Sequence, residues 1–169
     1  MHLPHIREKF LVSGFLFLLL VASLYLALQQ TGAKNSSATN TATSAADIYQ
    51  TQQLRIGASV INVEIADTEA EIARGLSYRD SLGESDGMYF VLPARRQVSF
   101  WMYQMRFPLD IVWIDNGAIV GIEQNAPVPT GESIPTFKSP QEVTHVLEVN
   151  AGLAVQNNLK IGDKVVLIK

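Results

Sequence analysis

The hydrophobic pattern divides the chain into three stretches. Phe10 to Leu28 is a 19-residue run without a charge, interrupted only by Ser13, Gly14 and Ser23 and preceded by Arg7 and Lys9. Such a run is long enough to cross a bilayer as a helix, and the basic flank holds its start in the cytoplasm. From Thr31 to Gln53 the chain is Thr, Ser, Ala, Asn and Gln with almost no large apolar residue. That composition buries too little surface to offset chain entropy and predicts a flexible tether. The pattern then changes to strands. Ile61, Val63 and Ile65 alternate with Asn62 and Glu64 over Ser59 to Ala66, the period of a half-buried strand.

A capping box, Thr68-Glu69-Ala70-Glu71, opens a short helix that Gly75 ends. Met88 to Leu92, Val98 to Met102 and Leu109 to Ile114 read as strands, and Asp115-Asn116-Gly117 turns the last of them into a partner over Ala118 to Glu123. Four prolines between Asn125 and Pro140 predict a long loop without ladder bonds. His145 to Val149 and Lys164 to Ile168 are further strands, with one or two helical turns over Leu153 to Leu159. The expected fold is mainly β, a single small β-barrel or β-sandwich with one or two short helices behind an N-terminal transmembrane helix. The expected organisation is a cytoplasmic start at 1–9, a signal-anchor helix at 10–28, a linker at 29–53 and the β domain at 54–169. The rival reading of the N-terminus is a cleaved signal peptide, for which Thr31-Gly32-Ala33 offers a small-residue site. With the anchor retained, the protein is single-pass and its C-terminal domain lies outside the cytoplasm.

Charge and composition narrow the chemistry. From Thr51 to Lys169 there are 10 Lys and Arg against 14 Asp and Glu, a net charge of −4, with no basic cluster. A nucleic-acid partner is therefore not expected. The chain has no cysteine, which removes disulfides, thiolate nucleophiles and a lipid-modified cysteine anchor. His145 is the one histidine after Thr51, with no nucleophile motif to pair with it. No calcium-loop or zinc spacing is present, so neither metal nor cofactor is expected.

The segment Phe100 to Asp115 sets Arg106 and Asp110 among large apolar residues, where an unpaired charge costs several kcal/mol. Trp101, Tyr103, Gln104 and Arg106, with Asp110 and Glu148, form a candidate ligand-binding set of aromatic and polar residues. Glu64, Arg74, Arg79 and Asp163 are candidate structural charge partners. The residues point to a binding or accessory module for a small molecule or envelope glycan rather than an enzyme. The alternatives are a cell-envelope hydrolase using paired carboxylates and a purely structural envelope protein.

Several ordered blocks carry a family resemblance: Glu64-Ile65-Ala66, Arg74-Gly75-Leu76 with Arg79, Gly87-Met88-Tyr89-Phe90, Phe100-Trp101-Met102, Pro108-Leu109-Asp110, Val146-Leu147-Glu148 with Gly152, and Gly162-Asp163. Over Ile61 to Ile168 the chain resembles the DUF192 family, also called UPF0127, of bacterial and archaeal proteins without an assigned activity. The resemblance implies the family's framework but no function. Tyr103, Gln104 and Met105 stand where the family commonly has a basic residue, Asn and Thr, and Ser77 stands where it often has Met. A ligand touching those positions in relatives would differ here.

Overall fold

A computed structural model describes residues 49–168. The expected anchor, and the expected tether up to residue 48, lie outside the described residues. Nine strands and two short helices follow in the order β1 (Gln50–Ile56), β2 (Ser59–Ala66), α1 (Glu69–Arg74), β3 (Asp86–Arg96), β4 (Ser99–Trp101), β5 (Leu109–Asp115), β6 (Ala118–Ala126), β7 (Thr136–Lys138), β8 (Val143–Asn150), α2 (Leu153–Gln156) and β9 (Val165–Ile168). Seven strands make one sheet in the order β6-β5-β8-β3-β2-β1-β9, while β4 and β7 form a separate ribbon.

The barrel or sandwich is corrected to an open sheet. Its edges, β6 and β9, meet at one end only, through an isolated bridge between Ala118 and Lys164 beside the bonds Val165 N to Gly117 O (2.9 Å) and Ile119 N to Asp163 O (3.0 Å). In this antiparallel register, pairing further along β6 would fall on residues before Lys164, and these form the turn at Gly162 rather than a strand. A sandwich is excluded because the second sheet is only the two-stranded β4–β7 ribbon.

β1 begins at Gln50, so Gln50 to Gln53 belong to the sheet and not to the linker. Their backbone pairs with β2 from Gln50↔Ile65 to Gln53↔Asn62, and a backbone ladder does not require apolar side chains. The proline-rich loop is also shorter than expected. Thr136–Lys138, free of proline, pairs antiparallel with Ser99–Trp101.

Alternation along the central strands gives the sheet two apolar faces. Tyr89, Val112, Ile114, Leu147 and Val149 pack on one face with Ile61, Val63, Leu54 and Ile56, and α2 covers them with Leu153 and Ala154. Met88, Phe90, Ile111, Trp113 and Val146 pack on the other, beneath the segments carrying Leu76, Val98, Met102 and Met105. α1 crosses between β2 and β3, the one parallel pair. Thr68 caps it, accepting from Glu71 N while the Glu71 carboxylate accepts from Thr68 N (3.0 Å).

Candidate functional site

β8 lies between β5 and β3, and Glu148 sits mid-strand in it, opposite Ile111 on one side and Met88 on the other. All three point to the face that holds Phe90 and Trp113. Glu148 is 4% exposed. A buried carboxyl is expected to be hydrogen-bonded or ion-paired, yet this one has no such partner among the described residues, and burial alone pushes its pKa up to about 8. Burial therefore favours the protonated form near neutral pH.

The space above Glu148 is a cavity of about 390 Å³, within the range of small-molecule sites. It lies between the end of α1, the end of β3 and the β4 ribbon. Gly75 follows α1 with φ 49 and ψ −137, a conformation that glycine alone enters readily. A Cβ there would lie 3.4 Å from Phe90 Cζ and 3.9 Å from Glu148 Oε2, so a side chain would fill the space over the acid. The β3–β8 register shifts between Val91 and Arg96, and bulges of this kind re-aim side chains beside sites. Leu92, Arg96, Gln97 and Val98 join the wall from this region, and Phe100 and Trp101 from β4. Phe100 is held edge-on between Phe90 (4.9 Å) and Trp113 (5.7 Å). Trp101 is 55% exposed at the rim, and its ring leans on Tyr103 (5.5 Å), which meets Tyr78 edge-on (6.3 Å).

Of the six candidate ligand-binding residues, the structure brings two to this cavity, Trp101 and Glu148. Tyr103 is next to Trp101 on the outer surface. Gln104 occupies a turn at φ 55, where its carbonyl accepts from Tyr78 N (3.0 Å). Arg106 is ion-paired with exposed Asp80 and does not line the cavity. Asp110 is 0% exposed and faces the opposite side of the sheet, pairing with Val149 in the ladder. Its two oxygens accept from Asn125 N and Ala154 N, both at 2.9 Å, tying the end of β6 and the start of α2 to β5.

The candidate charge partners separate similarly. Arg79 grips Glu64 with two bonds (2.7 and 2.6 Å) and lies 5.4 Å from the centre of the Tyr49 ring. Asp163 accepts from Lys160 N (2.8 Å) in the turn at Gly162. Arg74 instead lines the cavity, exposed and without an ion pair among the described residues. Arg96, Phe90 and Phe100 were not among the sequence candidates. Gly75, which also lines the cavity, read in the sequence only as a helix stop.

Chemically, the site offers a neutral carboxylic acid that can donate one hydrogen bond, an aromatic wall and two guanidinium groups. Asp110 and Glu148 face opposite sides of the sheet, so they do not form the carboxylate pair that glycoside hydrolysis requires. His145 stacks on Tyr89 (5.0 Å) away from the cavity, and burial lowers its pKa. Ser77 Oγ, at the wall, is engaged as a donor to Tyr103 O (2.8 Å). Among the described residues no cluster of three or more His, Asp or Glu could hold a metal.

Residues 51–167 match the family model of DUF192, described as Uncharacterized ACR. The chain belongs to this family. Two solved structures are similar to the DUF192 domain. One is a Sinorhizobium meliloti protein, described there as a proposed transcription regulator, with 32% identity and a TM-score of 0.64 over 70% of this chain and 95% of that one. The other is a protein of unknown function from Novosphingobium aromaticivorans, with 31% identity and a TM-score of 0.65 over 70% of this chain and 86% of that one. The matched region makes up almost all of the first relative, so a chain of little more than this domain folds and crystallises. No curated protein matches the chain.

Proposed function

We propose that this DUF192 domain is a ligand-binding module, tethered to the outer face of the cytoplasmic membrane by the helix at 10–28, and that the cavity beside Glu148 receives a small molecule or a unit of envelope glycan. The observation that carries this reading is Glu148 itself. A carboxyl at the wall of a cavity, poorly solvated and without a partner among the described residues, is costly to ionise there, and a ligand that accepts its hydrogen bond offsets part of the cost of its burial. The exposed row of Trp101, Tyr103 and Tyr78 leads away from the mouth and suits stacking against a ligand that extends past it. A role on nucleic acid, such as the S. meliloti relative's description suggests, fits poorly with a net charge of −4. The tether rests on the 19-residue apolar run behind Arg7 and Lys9. Among the described residues no helix is long and apolar enough to cross a membrane.

The test is native mass spectrometry of the full chain isolated from membranes, followed by thermal-shift screening of any co-purifying compound and of envelope glycan fragments. A hit should raise the melting temperature of the wild type and lose its effect in Glu148→Met, which removes the donor, and in Trp101→Ala. Stabilisation that persists in both variants, or no hit at all, would contradict the reading.

A further inference from the structure

The cavity differs in charge from the domain that contains it. The domain is acidic, yet its cavity lining holds three ionisable groups, of which two, Arg74 and Arg96, are cationic. Both are exposed and therefore at the mouth. Three other arginines of the domain are paired within it, Arg79 with Glu64, Arg95 with Asp115 and Glu142, and Arg106 with Asp80, while Arg55 is exposed on β1 outside the cavity and has no ion pair among the described residues. Arg74 and Arg96 have no ion-pair partner among the described residues. The third group, Glu148, is held neutral by its burial and does not repel an anion at the mouth. A cationic ligand would meet two guanidinium groups before reaching a proton-bearing acid.

Building on the binding reading above, we infer that the ligand of this cavity is an organic anion with an apolar body. Its anionic group lies between Arg74 and Arg96, and its rings or chain lie against Phe90, Phe100 and Trp101. Guanidinium forks suit carboxylate, sulfonate or phosphate oxygens, and they hold them more strongly than neutral donors do. Deeper in, the Glu148 hydroxyl donates to an acceptor atom of the ligand, giving the buried acid the partner that the domain does not supply.

Two fluorescent probes with the same ring system test the inference on residues 49–169: anilinonaphthalene sulfonate, which is anionic, and phenylnaphthylamine, which is neutral. The sulfonate should bind saturably at one site, roughly tenfold or more tightly than the neutral probe, the worth of one charge-assisted bond. Arg74→Gln combined with Arg96→Gln should remove that preference, and thermal unfolding, followed in parallel, should be little changed because both side chains are exposed. Equal binding of the two probes, both weakened by Trp101→Ala, would overturn the anion inference and leave the binding site standing. Failure of both probes to bind, or binding indifferent to Trp101→Ala, would overturn the binding reading with it. A preference for the sulfonate that survives the double Arg variant would assign it to another surface and likewise end the inference.

Discussion

Asp110 and Glu148 are both acids in apolar strands, and their opposite surroundings give them opposite roles. Asp110 is satisfied by two backbone N–H groups, so Asp110→Ala strands two donors and should cost about 2 to 4 kcal/mol in denaturant melts, whereas a surface Asp would cost less than about 0.5. Glu148 has no hydrogen-bond partner among the described residues, and its folded pKa of about 8 lies above the value of 4.5 for a free side chain. The folded state therefore holds a proton that the unfolded state releases between these values. Its contribution to stability is full below about pH 4.5 and is lost as pH rises to about 8, with a slope near 1.4 kcal/mol per pH unit. Glu148→Gln should remove that slope, and melts of the two proteins across pH 5 to 9 would show it. The sequence marked both residues as acids needing explanation. It did not reveal which face each takes, because the face depends on pairing with β8 and β3, partners distant in the chain.

At the scale of elements, local signals were legible and long-range ones were not. The capping box at Thr68 and the Asn116-Gly117 turn, with φ of 48 and 72, are set by neighbouring residues, and both form where the sequence predicts them. β1 and β7 were missed because they pair with β2 and β4 through the backbone, and only Leu54 and Ile56 of β1 and Phe137 of β7 are apolar. Within the aromatic segment, Phe100 and Trp101 enter the wall of the cavity while Gln104 and Arg106 do not. Gly75 joins α1 to that wall. Gly75→Ala should strain the backbone by about 1 to 3 kcal/mol, since an L-residue rarely adopts this conformation. Its new methyl would also lie against Phe90 and above the Glu148 carboxyl, so probe binding should fall together with the melting temperature. Unchanged binding in a destabilised Gly75→Ala protein would show that the cavity wall is built elsewhere.

At the scale of the whole molecule, the proposed tether sets where a ligand can be met. The protein should stay with membranes through a high-salt wash, keep its N-terminus, and expose a C-terminal tag to protease added to spheroplasts. Mature chains beginning near Lys34, or a protected tag, would contradict this topology. The proposed anchor is read from composition and length alone, since the bilayer sets the length of a spanning run. The cavity was not legible in this way, because it is assembled from α1, β3, β4 and β8 across the fold. Every part of the binding proposal depends on Glu148 being dry and without a protein partner, and its side-chain carboxyl carbon, followed by NMR through a pH titration of residues 49–169, reports that state directly. The predicted midpoint is about 8; a midpoint in the ordinary carboxylate range, at about 4 to 5, would mean a solvated or partnered group and would contradict the site.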